Sequence, residues 1–285
     1  MRAKRSLGQN FLTSRAVAKD VVQAATITPE DTILEVGPGK GFLTELLLAA
    51  RPKRVVVVEK DDRLIDVLHK KFADHVRSGA LTIIHGDILT TDITTIVEQK
   101  PYKVVANIPY YITGELIRSF LEHARQPMLM VLMVQKEVAE RIVAQDGKES
   151  ILSISVKAYG EPQKIGVIPA HCFNPQPKVD SSILAIRTIS RELFTHVNNE
   201  LFFRIVKTGF AHKRKLLSSN LAELYDTETI TKAFAACALS KNTRAEELAV
   251  SDWVCVVSAI QKKSPDKGIV KRDITGKVIT HCRPH

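Results

Sequence analysis

Five apolar runs, each far too short to span a bilayer and each separated from the next by a segment of helical character, constrain this chain more than any other feature. They are Thr32-Ile33-Leu34-Glu35-Val36, Arg54-Val55-Val56-Val57-Val58, Leu81-Thr82-Ile83-Ile84, Val104-Val105-Ala106 and Leu129-Met130-Val131-Leu132-Met133-Val134. Runs with little polar alternation need cover on both faces, which is the condition of strands in a parallel sheet. The intervening segments carry apolar residues at helical spacing: Phe42 to Ala50, then Ile65, Leu68 and Phe72, then Ile117, Phe120, Leu121 and Ala124, then Val138 and Ile142 within Lys136 to Ala144. Strand and helix in alternation predict an α/β, Rossmann-like domain. Period-two patterning at Ile154, Val156 and Ala158, and again at Ile183, Ala185 and Arg187, predicts antiparallel strands that close the sheet.

In open α/β sheets ligands collect just past the carboxyl ends of the strands, so the residues at those ends matter most. After the first run comes Gly37-Pro38-Gly39-Lys40-Gly41 and then a helix. Glycines let backbone approach a ligand closely, and a helix start offers unpaired N–H groups. A dinucleotide fingerprint needs glycine where Phe42 stands, and no Lys-Ser/Thr pair completes a phosphate loop, so a diphosphate is disfavoured. Glu35 before the loop suits a cationic or zwitterionic head, such as the amino-acid end of S-adenosylmethionine. The second run ends at Glu59, whose carboxylate can accept both hydroxyls of a ribose, and the third at Asp87, which can accept from an adenine amino group. Taken singly, each acid reads equally well as a helix cap. The fourth run ends at Asn107-Ile108-Pro109-Tyr110, where a carboxamide can accept from an amine while an aromatic ring stacks on a base. The plainer reading of that turn is a proline breaker with a packing tyrosine.

Ahead of the sheet, Ser14 is placed to cap a helix bearing Val17, Val21 and Ala24, and Gln9, Asn10 and Leu12 form either a pocket lining or surface. Between the closing strands, Phe173 lies on a loop stiffened by Pro175 and Pro177, where it can pack or stand opposite Tyr110 across a base. From about residue 190 the chain turns helical and basic. Phe203, Val206 and Phe210 form one apolar stripe, Trp253, Val256, Val257 and Ile260 another, and the run His212-Lys213-Arg214-Lys215 is either a phosphate contact or a solvated face. The expected division is residues 1–189 as the α/β domain, 190–263 as a helical RNA-binding domain, and 264–285 as a polar, flexible tail. Net charge is +10, from 41 Lys and Arg against 31 Asp and Glu, which raises the expectation of a polyanionic partner. Cys172, Cys237, Cys255 and Cys282 show no Cys-x-x-Cys spacing, so reduced thiols and no metal site are expected, His281, Cys282 and His285 lacking a fourth ligand. No apolar signal core follows Met1-Arg2-Ala3-Lys4-Arg5, which reads as a cytoplasmic protein with no membrane association.

The motifs together resemble the ribosomal RNA adenine N6,N6-dimethyltransferase family, the KsgA type. The resemblance is carried by Ser6 to Leu12, Leu34 to Gly41, Glu59, Gly86 to Leu89, Asn107 to Ile112, Gln135 to Arg141 and Phe173 to Ser181, and spans about residues 4 to 262. It implies a methyltransferase domain that uses S-adenosylmethionine, bound by Asn10, Leu12, Gly37, Gly39, Glu59, Asp87 and Asn107. It further implies a catalytic set of Asn107, Pro109, Tyr110 and Phe173, with Phe173 stacking on the flipped adenine. The substrate implied is two adjacent adenosines in the 3′-terminal hairpin of small-subunit ribosomal RNA, presented on an immature small subunit, and linked to subunit biogenesis. Lys213, Arg214 and Lys215, with Arg244 to Leu248, resemble that family's C-terminal domain, and a monomer is expected. Tyr111 is assigned no catalytic work, and residues 264–285 match nothing in the family.

Three other readings compete. The macrolide-resistance methyltransferase acting on large-subunit ribosomal RNA shares the fold and the Asn107 turn, but Pro38 and the long C-terminal part favour the small-subunit enzyme. A nicotinamide oxidoreductase is opposed by Phe42 and by the Asn107 turn. A non-catalytic assembly factor is opposed by the intact Asn107 and Tyr110.

Overall fold

The computed structural model describes residues 8–98, 100–263, 271–272 and 278–279. The chain separates between His196 and Val197 into two compact units, a boundary seven residues beyond the one expected.

In the first unit the order is β1 (Phe11–Leu12), α1 (Arg15–Ala24), β2 (Thr32–Val36), α2 (Phe42–Ala49), β3 (Arg54–Glu59), α3 (Asp62–Lys71), α4 (Ala73–Arg77) and β4 (Leu81–His85). There follow α5 (Ile93–Ile96), β5 (Tyr102–Asn107), α6 (Thr113–Glu122), β6 (Leu129–Gln135), α7 (Lys136–Val143), α8 (Ile151–Lys157), β7 (Glu161–Ile168), β8 (Phe173–Asn174) and β9 (Ser181–Arg187). The main sheet has the order β4-β3-β2-β5-β6-β9-β7. Its first five members are parallel, and β9 and β7 run antiparallel at one side. One core cluster takes Ile33, Val55, Val57, Val105, Val131 and Met133 from the sheet, together with Val21 of α1 and Leu47 of α2. Their strand neighbours Leu34, Val56, Val104, Ala106 and Leu132 are buried as well. Successive side chains point to opposite faces, so both faces are covered, as the unbroken apolar runs require.

The second closing strand is found at β9, but the first is not. Ile154, Val156 and Ala158 lie in and just after α8, and the edge strand is β7, seven residues further on than that patterning began. Ser150 decides the matter locally: its side chain accepts from Ser153 N, and the Ser153 side chain answers to Ser150 N, a reciprocal cap that starts a helix. Ile154 and Ala158 are then i and i+4 on one buried face.

The second unit contains α9 (Asn199–Gly209), α10 (Leu217–Leu221), α11 (Thr227–Ala236) and α12 (Val250–Lys263), followed by the two-residue pair β10 (Lys271–Arg272) and β11 (Val278–Ile279). The stripe Trp253, Val256, Val257 and Ile260 is buried as expected. On α9 the buried face is Phe202, Ile205, Val206 and Gly209, which keeps Val206 of the predicted stripe and leaves Phe203 and Phe210 half-buried. Gly209 is needed there because a Cβ would lie 2.4 Å from the Trp253 ring. Cys237, at the end of α11, and Cys255, in α12, form a disulfide with Cα atoms 5.7 Å apart, contrary to the expectation of reduced thiols. Helix packing brings together two cysteines whose spacing in sequence carries no signal. Apart from β10 and β11, the expected flexible tail lies outside the described residues, as do His281, Cys282 and His285. Among the described residues, no helix is long and apolar enough to cross a membrane, and no cluster of His, Cys, Asp and Glu could hold a metal ion.

Candidate active site

The strand order reverses on either side of β2, so the loops after β2 and β5 diverge and leave a crevice at their carboxyl ends. A cavity of about 460 Å³ opens there, lined by the glycine loop, the ends of β3 and β4, the Asn107 turn and the segment Gly8 to Thr13. That volume lies within the range of small-molecule and cofactor pockets.

Glu59 closes β3 and is 5% exposed. One oxygen accepts from Gly39 N at 3.0 Å and the other from Asp61 N at 2.8 Å, so each retains a lone pair for a further donor. Burial raises its pKa, against the lowering effect of those backbone donors. Gly39 has φ +59°, and a Cβ on it would lie 2.9 Å from the Phe11 ring, so both its conformation and its neighbour demand glycine. Gly37 also has positive φ, and its N–H donates to Val58 O at 2.9 Å. Glu35 lines the cavity but is engaged from behind: Thr44 Oγ1 donates to it at 2.6 Å, and burial pushes its pKa up to about 8. Burial therefore opposes the charge that would make Glu35 a counter-ion for a cationic head, while leaving it in the cavity lining. Asp87, by contrast, is held below the usual carboxylate range by Lys60, whose Nζ lies 2.6 Å from Oδ2, while Oδ1 accepts from Leu89 N.

The Asn107 turn is fixed at several points. Asn107 Nδ2 donates to the Asn10 carbonyl at 2.8 Å. The Tyr110 hydroxyl shares a 2.7 Å hydrogen bond with Ser181 Oγ, and burial raises the Tyr110 pKa. The Pro109 carbonyl accepts from Ile112 N at 3.2 Å and keeps a second lone pair. Tyr111 is 63% exposed and packs beside Gly8.

Of the predicted residues, Asn10, Leu12, Gly37, Gly39, Glu59, Asp87, Asn107, Pro109 and Tyr110 all line this one cavity. Phe173 does not. It is 4% exposed, paired with Leu12 in the β1–β8 register and packed into the core cluster, while Asn174 beside it lines the cavity. The sequence reading also missed Lys60, Ser181 and a network around Asp61, whose side chain is fully buried. Gln9 Nε2 donates to Asp61 Oδ2 at 2.9 Å, and Arg63 reaches both carboxylate oxygens and holds the group well below the usual carboxylate range. Met1 to Leu7, including the start of the first motif, lie outside the described residues.

In the second unit Lys213, Arg214 and Lys215 are exposed on the loop between α9 and α10. Buried Asn220 secures that loop by donating to the carbonyls of Gly209 and His212.

The sequence matches the profile described as ribosomal RNA adenine dimethylase over residues 1–262. The chain belongs to the ribosomal RNA adenine dimethylase family. Like other members of this family it is a methyltransferase, built on a Rossmann-like sheet. It is 40% identical over 262 residues to the Dehalococcoides mccartyi ribosomal RNA small subunit methyltransferase A, covering 90% of this chain and 89% of that one. Among solved structures, a dimethyladenosine transferase from Plasmodium falciparum superposes with a TM-score of 0.76 at 26% identity, over 89% of this chain and 98% of that one. The 23S ribosomal RNA methyltransferase ErmE shares the fold, with a TM-score of 0.71 at 23% identity, over 88% of this chain and all of that one.

Proposed function

We propose that this dimethylase transfers methyl groups from S-adenosylmethionine to N6 of two adjacent adenosines in the 3′-terminal hairpin of small-subunit ribosomal RNA. The substrate would be an immature small subunit in the cytoplasm, and the enzyme a monomer. The observation that carries the reading is that Asn107 and Tyr110 share one cavity with Glu59 and Asp87. A holder for a nucleoside and an acceptor for an amine thus face the same space.

The residues present fit the cofactor. Glu59 has a lone pair left on each oxygen for the two ribose hydroxyls, and Asp87 is ionised and partly exposed, as an acceptor for an adenine amine must be. Asn10, Leu12, Gly37 and Gly39 complete the lining. When bound, S-adenosylmethionine supplies an electrophilic methyl group on sulfonium.

The chain's own task is to present the target nitrogen. The lone pair of adenine N6 is delocalised into the ring, which makes it a weak nucleophile. Asn107 is oriented with Nδ2 on the Asn10 carbonyl, which leaves Oδ1 to accept one N–H of the target amine, and the Pro109 carbonyl can accept the other. Tyr110, its ring steadied through Ser181, provides a surface for the base. Catalysis here is positioning and electrostatic stabilisation, and no strong base is needed, because the proton becomes acidic once the nitrogen is alkylated. Phe173 contributes to this reading as the anchor of β8 rather than as a stacking ring.

The 40% identity to a small-subunit enzyme, against likeness in fold alone to the large-subunit enzyme, favours the small subunit as substrate. The test is labelled methyl transfer to unmodified small subunits and, separately, to large-subunit RNA, with Asn107→Ala and Glu59→Ala alongside. Dimethylation of adjacent adenosines near the 3′ end is expected. Asn107→Ala should abolish it with cofactor affinity reduced only modestly, and Glu59→Ala should mainly weaken the cofactor. Methylation confined to large-subunit RNA would overturn the substrate, and full activity in both variants would overturn the site.

A further inference from the structure

The segment from Gly8 to Thr13 crosses the cavity and is tied down along its length. Gly8, at φ +58°, packs so closely on Tyr111 that a Cβ would lie 3.2 Å from the ring. The Phe11 ring lies over Gly39, with Lys40 Nζ 5.1 Å from its centroid. Thr13 donates to the Cys172 carbonyl from both its backbone N–H and its hydroxyl, each at 2.8 Å. Between these anchors, Gln9 reaches the turn after β3 through Asp61, and the Asn10 carbonyl reaches Asn107.

The Asn10 contact governs how the site presents itself. The two ends of a carboxamide are nearly the same shape, and only its partners determine which end points where. A backbone carbonyl can only accept, so it fixes Nδ2 of Asn107 on one side and turns Oδ1 to the other. Where the segment sits therefore decides where the amine acceptor sits. The Gln9–Asp61 contact is the side-chain tie immediately beside that carbonyl.

We propose that Gln9 and Asp61 are positioning residues for methyl transfer, a latch that holds Gly8 to Leu12 across the cavity so that the Asn10 carbonyl orients Asn107. The proposal rests on the assignment of Asn107 made above. A plainer role for Asp61 is the cap of α3, since Oδ1 accepts from Arg63 N at 3.3 Å. A cap needs one oxygen, and asparagine serves as well as aspartate. The second oxygen of Asp61 accepts from both Gln9 and Arg63, which only a carboxylate, a pure acceptor, allows.

That difference supplies the test. Gln9→Glu sets a carboxylate against the Asp61 carboxylate, whereas Asp61→Asn alone keeps an oxygen for the cap and lets the Gln9 amide turn over to accept from the new NH2. Asp61→Asn with Gln9→Glu restores the contact with donor and acceptor exchanged. Steady-state methyl transfer to unmodified small subunits, cofactor affinity and Tm would be measured for wild type, Gln9→Ala, Gln9→Glu and the exchanged pair, with Asn107→Ala as reference. Gln9→Ala and Gln9→Glu should each lower kcat by roughly tenfold, a misplacement effect rather than a pure rise in KM for the cofactor. The exchanged pair should recover most of kcat. Wild-type kcat in both single variants, with Asn107→Ala inactive, would overturn the latch and leave the site intact. No recovery in the exchanged pair would also overturn it, returning Asp61 to its cap. If the exchanged pair fails to fold, Gln9→Ala alone decides by its kcat. Full activity of Asn107→Ala would instead remove the assignment on which the latch rests.

Discussion

Glu35 is a carboxyl whose surroundings work against its charge. It is 1% exposed, the Thr44 hydroxyl offsets only part of the cost of burial, and the nearby Glu59 adds to it, so its pKa stands at about 8. The direction of the pH effect follows from which state holds the proton. Between about pH 4.5 and 8 the unfolded chain has released it while the folded protein retains it, so stability falls as pH rises through that window. Each pH unit is worth up to about 1.4 kcal/mol, or roughly 3 °C in a domain of this size. Glu35→Gln keeps an oxygen for Thr44 and removes the titration. Thermal melting of both proteins at pH 6 and pH 8 should show wild type losing about 3–6 °C more than the variant across the interval. Glu59, also raised by burial, contributes a slope of the same sign to both proteins, which is why the difference between them is the quantity to read. Equal slopes would mean that Glu35 ionises in the folded protein much as it does in the unfolded one.

At the scale of elements, the informative contact is α11 against α12, joined by Cys237 and Cys255 across 18 residues. A bridge closing a loop of that length stabilises by about 3 kcal/mol in the chain-entropy account. Reductant should therefore lower the melting temperature of the wild-type protein, and Cys255→Ser should melt at the reduced value whether or not reductant is present. Identical wild-type melting with and without reductant would remove the bridge from the stability of this unit. The cysteines also mark where sequence reasoning stops. Runs such as Val55 to Val58 declare themselves because a buried parallel strand tolerates few other residues, and the acids and amides at the strand ends follow from the topology. Contacts between distant segments leave no comparable mark. Nothing in the composition pairs Gln9 with Asp61, Ser181 with Tyr110 or Lys60 with Asp87. Ile154 falls in a helix rather than the expected strand for a related reason: a reciprocal serine cap overrides the local pattern.

For the molecule as a whole, the surplus of positive charge matters only where it is gathered and held. Lys213, Arg214 and Lys215 are consecutive, exposed and carried on a loop that is fastened from below by Asn220. Leu217, just after the run, donates its N–H to the Thr243 carbonyl at 2.9 Å, which ties this loop to the one carrying exposed Lys241. A solvated run needs no such fastening, whereas cations that meet phosphates in register lose less entropy if their backbone is already fixed. If these three side chains neutralise phosphates, each releases counterions on binding, and the slope of log K against log salt should become shallower by roughly 0.7–0.9 for each one removed. Replacing all three by alanine should thus flatten the slope for ribosomal RNA by about 2–3 and weaken binding most at low salt. Affinity for S-adenosylmethionine should be unchanged, because the cavity is built entirely from residues 8–174. Binding measured from 50 to 300 mM salt, for wild type and the triple variant, separates the possibilities. An unchanged slope would make the run a solvated face and move the polyanion contact to other cations of the chain.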